Sequence, residues 1–139
     1  MIELFQEFTF ESAHQLAANV VPGHPYANIH GHSFRVEVFI RGEVDPKTGW
    51  VIDFSDVEQI LDPIRQQLDH KYLNTITGLE QPTLENITRW IWEKVVDDLP
   101  GIHRVVVRRG TCGQGCVYEG DRTSLEEVSY RKEVERVSR

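Results

Sequence analysis

Two stretches near the start of the chain alternate between apolar and polar residues, as strands with one buried face do. The first covers residues 3–14, and the second runs from His30 to about Gly42. In the second stretch the apolar parity is shared by Phe34, Val36, Val38 and Ile40. We therefore predict two strands that turn one face toward a common core.

Two later segments have the 3.6-residue spacing of amphipathic helices. The first follows Ser55-Asp56-Val57-Glu58, which has the pattern of a capping box. Pro63 falls inside this helix, and an interior proline predicts a kink or break near Asp62. Thr83 is the predicted N-cap of the second helix, which Pro100-Gly101 is expected to end.

Further strands are predicted from short apolar runs between turn residues. They are a short returning strand at 50–53, a long strand at 102–109 and a shorter one at 116–119. The order of the main elements is strand, strand, helix, helix, strand, strand. This order predicts an α+β fold with a four-stranded antiparallel sheet and two helices on one face.

Three histidines occupy inward positions of the first two strands. His30 and His32 share the parity of the apolar residues that follow them, and His14 ends the first strand on its apolar parity. If the strands pair, the three imidazoles converge. Neutral imidazole is a good Zn²⁺ ligand, and three histidines with an open fourth position describe a catalytic zinc site. The alternative is that each histidine is an ordinary core or edge residue.

Composition restricts the class of protein. The 139 residues suit one domain, and a formal net charge of −7 without a run of basic residues argues against nucleic-acid binding. No apolar stretch approaches the length of a membrane span, and the start of the chain does not read as a signal peptide, so we expect a cytoplasmic protein.

The thiols of Cys112 and Cys116 are expected to stay free in a loop. Arg104, Arg108 and Arg109 lie close together and could bind a small anion, although a solvated strand face is the simpler interpretation.

Two further places carry candidate chemistry. The loop at 17–29 must cross near the histidines, so His24 and Tyr26 are candidates to line the site. Asp69 and His70 are adjacent, and neighbouring residues bond each other only with special backbone geometry. From the residues alone, a helix C-terminal cap is therefore the favoured role of His70.

At this level of detail the chain resembles the 6-pyruvoyl-tetrahydropterin synthase and 6-carboxytetrahydropterin synthase family, from about Leu4 to Gly120. The likeness is carried by Phe8-x-Phe10-x-x-Ala13-His14, Leu16, His30-Gly31-His32-Ser33-Phe34, the run from Gly42-Glu43-Val44-Asp45-Pro46 to Trp50-Val51-Ile52-Asp53-Phe54, Leu68-Asp69-His70-x-Tyr72-Leu73-Asn74, Pro82-Thr83-x-Glu85 and Thr111-Cys112-x-x-Gly115-Cys116-x-Tyr118. The turn and the cysteine loop look closest to the bacterial 6-carboxytetrahydropterin synthases of queuosine biosynthesis.

The resemblance implies a tunnelling fold (T-fold) domain over residues 1–120, whose sheet joins those of neighbouring subunits in a barrel, usually a hexamer of two trimers. Residues 121–139 would be a C-terminal extension, either an edge strand or a mobile tail. His14, His30 and His32 match the family's zinc ligands. Asp69 and His70 match its catalytic pair, which replaces the capping interpretation. The implied substrates are 7,8-dihydroneopterin triphosphate and related pterins.

Two positions depart from the family's pattern. Tyr26 stands where the family has a cysteine base, and a phenol, with an ordinary pKa of about 10 against about 8.5 for a thiol, is the poorer base at neutral pH. Gly110 stands where a glutamate accepts hydrogen bonds from the pterin. Thr83 and Glu85 remain candidate substrate contacts, although Glu85 is equally explained as an acidic residue at a helix N-terminus.

Three functions follow from these observations. The first is a zinc-dependent lyase of the 6-carboxytetrahydropterin synthase type. The second is a diverged zinc enzyme with another substrate, because retro-aldol cleavage or enolisation of a polyol needs little beyond a Lewis acid and a proton shuttle. The third is a metal-binding protein without catalysis, which would complete the coordination with a fourth protein ligand such as His24.

Overall fold

The computed structural model describes residues 1–120, together with 136 and 137. Its strands are β1 (Ile2–His14), β2 (His30–Gly42), β3 (Ile102–Arg109) and β4 (Gln114–Tyr118), and its helices are α1 (Phe54–Leu68) and α2 (Leu84–Val95). The strands form one antiparallel sheet in the order β1-β2-β3-β4. The predicted α+β fold is confirmed. The predicted C-terminal extension lies outside the described residues, apart from those two positions.

The core lies between one face of the sheet and the two helices. Phe34, Val36, Val38 and Ile40 of β2 are almost fully buried, as the alternation predicted. In α1 the buried residues are Val57, Leu61, Ile64 and Leu68, and in α2 they include Leu84, Ile87, Ile91 and Val95. Burial of side chains of this size contributes about 1.5–3 kcal/mol each, so this layer is what holds β1 and β2 in place.

The first helix and the segment before it differ from their predictions in three respects. Asp53, not Ser55, is the N-cap, because its carboxylate accepts the backbone N–H of Ser55 at 2.8 Å. Residues 50–53 form no strand; a turn is closed instead by the bond from Asp45 N–H to the Trp50 carbonyl. The helix also continues unbroken through Pro63. Pro63 lies on the exposed side of this helix, away from its buried residues.

The bounds of the other elements differ less from their predictions. β3 has the predicted bounds, whereas β4 begins at Gln114 and not at 116. The second helix ends at Val95, earlier than Pro100-Gly101. Gly101 lies against the backbone of β2 instead. Its φ is +82°, and a Cβ there would lie 2.3 Å from the Arg41 carbonyl oxygen. The described helices include none long and apolar enough to cross a membrane.

Candidate metal centre

The antiparallel register of β1 and β2 brings the three histidines together. His14, the last residue of β1, pairs with His30, the first of β2, and Ser12 pairs with His32. The ring centroids lie 4.5 Å (His14 to His30), 5.0 Å (His14 to His32) and 4.9 Å (His30 to His32) apart. One possible ligand atom of each residue lies within 4.8 Å of those of the other two. Three imidazole nitrogens therefore surround one point at the end of the sheet.

Hydrogen bonds select which nitrogen of each ring is available. His14 Nδ1 lies 2.9 Å from the Pro82 carbonyl oxygen, and His30 Nδ1 lies 2.8 Å from that of Asn28. A carbonyl accepts only, so both Nδ1 atoms donate and both Nε2 atoms are left as acceptors. The Nε2 atoms of His14, His30 and His32 are all buried without a hydrogen-bond partner. A carbonyl behind each of two ligand rings is the arrangement that metal-binding histidines adopt, so these residues fit a metal ion.

Burial favours the neutral form of this cluster. His14 is fully buried, and desolvation is the largest cause of its lowered pKa. Desolvation, followed by the nearby charges of His14, Arg109 and His30, lowers the pKa of His32 to about 4. Neutral imidazole is the form that binds a metal. At neutral pH these two rings are therefore ready to act as ligands without first losing a proton.

Asp69 and His70 form a bonded pair at the end of α1. His70 Nδ1 lies 2.8 Å from Asp69 Oδ2. Among the described residues other than glycine, His70 has the positive φ, which is 55°. This left-handed backbone supplies the geometry that adjacent residues need in order to bond. Asp69 is the C-cap of the helix, and the N–H of His70 donates to the Glu11 carbonyl. The capping role inferred for His70 from the residues alone is therefore wrong.

The backbone of β1 holds both members of this pair. The N–H of Glu11 donates to Asp69 Oδ1 at 2.9 Å, while the Glu11 carbonyl accepts the N–H of His70 at 2.6 Å. Arg65 Nη2 lies 3.5 Å from Asp69 Oδ2, and its Nε donates to the Thr9 carbonyl. The Glu11 bond is the largest cause of the lowered pKa of Asp69, followed by the bond to His70. Asp69 therefore stays a carboxylate and keeps the proton of His70 on Nδ1.

Tyr26 and His24 lie on the loop beside His30. The Tyr26 ring is stacked near that of His30, with centroids 5.9 Å apart, and 41% of Tyr26 is exposed. His24 faces Tyr26 at 4.7 Å, and its Nδ1 accepts the Tyr26 backbone N–H. Among the described residues, the group of convergent ligand atoms comprises three histidines and does not include His24. Tyr26 is thus placed next to the centre, and His24 is placed to support Tyr26.

The other predicted site residues lie at two element ends near the cluster. Thr83 caps α2 by accepting the Asn86 N–H, and Glu85 is exposed in the first turn. Their segment touches the cluster through the Pro82 carbonyl. Gly110 follows β3, and its N–H donates to the Ser33 carbonyl one residue after His32. The structure therefore connects the Thr83 segment to the cluster through Pro82 and places Gly110 beside Ser33, the residue after His32.

Sequence reasoning missed the supporting groups. The carbonyls of Asn28 and Pro82 and the backbone of Glu11 carry no side-chain signal, so no residue pattern could have indicated them. Arg65 is different, because it lies four residues before Asp69 on a predicted helix and such pairs meet on one face.

Comparison with known proteins identifies the family. A family model described as 6-pyruvoyl tetrahydropterin synthase matches residues 3–121. The chain belongs to the 6-pyruvoyl tetrahydropterin synthase family. It is 40% identical over 129 residues to the 6-carboxy-5,6,7,8-tetrahydropterin synthase of Synechocystis sp., with 87% of this chain and 95% of that protein covered.

Two further known proteins are similar to this chain. The dihydroneopterin monophosphate aldolase of Pyrococcus furiosus is 40% identical over 85 residues, which cover 61% of this chain and 71% of that protein. The solved structure of the Caenorhabditis elegans 6-pyruvoyl tetrahydropterin synthase superposes with a TM-score of 0.78 at 22% identity, covering 86% of this chain and 96% of that one. The structural likeness confirms the T-fold architecture of the chain.

Proposed function

We propose that this chain is a zinc-dependent lyase of the 6-carboxytetrahydropterin synthase type, acting on the side chain of 7,8-dihydroneopterin triphosphate or a related pterin. The observation that carries the proposal is the convergence of three buried, unpartnered Nε2 atoms. The 40% identity to the Synechocystis 6-carboxy-5,6,7,8-tetrahydropterin synthase supports the substrate class. The place of the reaction in queuosine biosynthesis is proposed from the resemblance of the turn and the cysteine loop to bacterial 6-carboxytetrahydropterin synthases.

His14, His30 and His32 would hold the zinc ion through Nε2. A zinc ion bound there would act as a Lewis acid that polarises oxygens of the substrate side chain and acidifies the neighbouring C–H and O–H groups. The carbonyls behind His14 and His30 orient the rings for this task. With three protein ligands, one position stays open for substrate.

His70 is the proposed proton carrier. Its Nδ1–H is held by Asp69, so its Nε2 is a free acceptor, and the side chain is 78% exposed on the surface beside β1. Asp69 acts by fixing that tautomer and by stabilising the imidazolium that forms when Nε2 takes a proton. Tyr26 is the proposed second catalytic group and would donate a proton from its phenol on the His30 side of the centre.

Substrate contacts are proposed at the two element ends. The segment of Thr83 and Glu85 adjoins His14 through the Pro82 carbonyl, so a ring bound beside the centre would meet this segment. Gly110 offers no acceptor side chain to a pterin. It gives the ring room beside Ser33 and leaves recognition to other groups.

A second candidate function is an aldolase acting on a dihydroneopterin phosphate. The specific observation in its favour is the phenol of Tyr26 beside His30, where the family's cysteine base is absent, and the Pyrococcus furiosus relative carries such an activity in its name. In a retro-aldol step, His70 would take the proton of the side-chain 2′-hydroxyl and the C1′–C2′ bond would break. The electron pair left on C1′ would then take up a proton, which leaves hydroxymethyldihydropterin and glycolaldehyde phosphate.

Assembly is part of the proposal. Along residues 2–10, the outer edge of β1 pairs with no strand in the described chain. Exposed edges of this kind are commonly covered by other copies of the chain. We propose that sheets of neighbouring subunits join here into a barrel, as a hexamer of two trimers in the cytoplasm.

Product analysis tests the proposal and separates its two forms. Zinc-loaded protein is incubated with 7,8-dihydroneopterin triphosphate and, separately, with the monophosphate. Acetaldehyde with a carboxypterin indicates the synthase, and glycolaldehyde phosphate with hydroxymethyldihydropterin indicates the aldolase. Turnover should disappear in H70A and persist in D62N, which changes an exposed residue of α1. No product from either substrate would contradict both forms and leave the non-catalytic metal-binding protein as the surviving interpretation.

A further inference from the structure

The end of β3 carries an arginine that the proposed chemistry does not use. Arg109 pairs with Phe34 across the sheet, on the face that holds the core, and only 9% of its surface is exposed. The preceding residue, Arg108, lies on the opposite face, is exposed and forms an ion pair with Glu37 at 3.1 Å. The two neighbours therefore differ in burial although they have the same side chain.

Arg109 is a buried cation without a counter-charge in the described chain. No ion pair joins its guanidinium to a carboxylate of residues 1–120, and its buried Nε has no hydrogen-bond partner. Removing a charge from water is costly unless a partner compensates. A guanidinium presents its N–H donors in a planar fork that matches the oxygens of a phosphate or a carboxylate. An oxyanion is the kind of partner that would satisfy this side chain.

The position of Arg109 places that oxyanion beside the candidate metal centre. The ring of its partner Phe34 lies 5.6 Å from that of His32 and 5.9 Å from that of His14. The Arg109 charge adds to burial in lowering the pKa of both histidines. An oxyanion paired with the Arg109 guanidinium would therefore lie close to the rings of His14 and His32.

We propose that Arg109 binds the phosphate of the substrate and thereby selects phosphorylated pterins over unphosphorylated ones. The identity of the substrate rests on the proposed function, whereas the oxyanion site rests on Arg109 itself. A phosphate held by Arg109 would fix the far end of the side chain, while its hydroxyl oxygens lie at the three histidines.

Titration of metal-free protein with tripolyphosphate tests the site without any turnover. Isothermal titration calorimetry should show binding to the wild type, a dissociation constant about tenfold to a hundredfold higher for R109Q, and a change below about threefold for R108Q. An equal loss in both variants would indicate a diffuse positive field and overturn the assignment, as would absence of binding to the wild type.

A second measurement avoids any dependence on the folding of R109Q. In ¹⁵N NMR of the wild-type protein, tripolyphosphate should shift the Nε–H resonance of Arg109 more than that of any other arginine. A resonance that stays unchanged at saturating tripolyphosphate would overturn the proposal.

Kinetics separate this inference from the proposed function. For an active enzyme, R109Q should lower kcat/KM for the phosphorylated substrate at least tenfold, mainly through KM, and change that for dihydroneopterin less than twofold. If the ratio of kcat/KM for the phosphorylated substrate to kcat/KM for dihydroneopterin is the same in R109Q and the wild type, the inference is wrong and the proposed lyase activity is unaffected. If the wild type turns over neither compound but R109Q still loses tripolyphosphate binding, the lyase fails and the anion site stands.

Discussion

Asp69→Asn tests the proposed proton carrier without removing it. The carboxylate accepts the Glu11 N–H through Oδ1 and faces His70 Nδ1 through Oδ2. In the variant, the amide oxygen can keep the Glu11 bond, which turns the NH₂ group toward Nδ1. Nδ1 must then accept, so the proton moves to Nε2, and His70 can no longer take a proton from substrate.

The expected magnitude follows from this change of tautomer. General acid–base catalysis contributes about 10²–10⁴-fold, and a wrong tautomer removes most of it, so we expect kcat to fall by about that factor with little change in KM. Stability should change little, because the amide can keep the Glu11 bond and the His70 side chain is 78% exposed. Steady-state kinetics and urea unfolding measure the two quantities.

Asp62→Asn is the matched control. Asp62 lies on the same helix, is exposed and accepts one bond from Gln66, so its replacement should leave kcat within about twofold. An Asp69→Asn enzyme with more than half of the wild-type kcat would refute the role of the pair. A loss of activity that tracks a loss of folded protein would refute it equally.

Three further outcomes are expected. Zinc at about 1,000 times its Kd should stabilise the wild type by about 4 kcal/mol and raise its Tm by roughly 10 °C in calorimetry. H24A should show the same shift, and H32A should show none. A Tm shift in H32A would contradict the assignment of the histidine cluster as the zinc site. Because the pKa values of His14 and His32 are lowered from 6.5, that of His32 to about 4, the unfolded chain binds more protons between these values. The free energy of unfolding of the metal-free protein, measured in urea, should therefore fall as the pH falls through this window, and it should fall less in H32Q. Identical pH profiles for the wild type and H32Q would be contrary evidence. Gly101→Ala should cost more than about 2 kcal/mol in urea unfolding, because its Cβ would meet a β2 carbonyl, whereas Gly113→Ala, with open space around it, should cost about 1 kcal/mol; equal costs would refute the steric argument.

The periodic elements could be predicted because each depends on a local pattern. The alternation in β2 gave its buried face, and two turn signals bounded β3 correctly. Convergence of the three histidines followed from their parity together with the pairing of β1 and β2. Where several local signals competed, prediction was poorer: Asp53 and Ser55 are both good N-caps, and the choice between them depends on how the preceding turn closes.

The remainder of the site depends on long-range contacts that a single sequence does not encode locally. The bond between Asp69 and His70 needs a left-handed residue, and the backbone of Glu11, 58 residues away from Asp69 along the chain, supports that conformation. The isolation of Arg109 could not be seen either, because its burial depends on its pairing with Phe34. Sequence patterns indicated the faces of the sheet, and packing decided which polar groups lack partners.

X-ray absorption spectroscopy of the zinc-loaded protein tests the central claim most directly. We expect one zinc ion per chain, with three imidazole nitrogens at about 2.0–2.1 Å and one further oxygen ligand that exchanges with solvent or substrate. Fewer than three imidazoles, a sulfur ligand or a zinc content well below one per chain would contradict the claim that His14, His30 and His32 form an open metal centre.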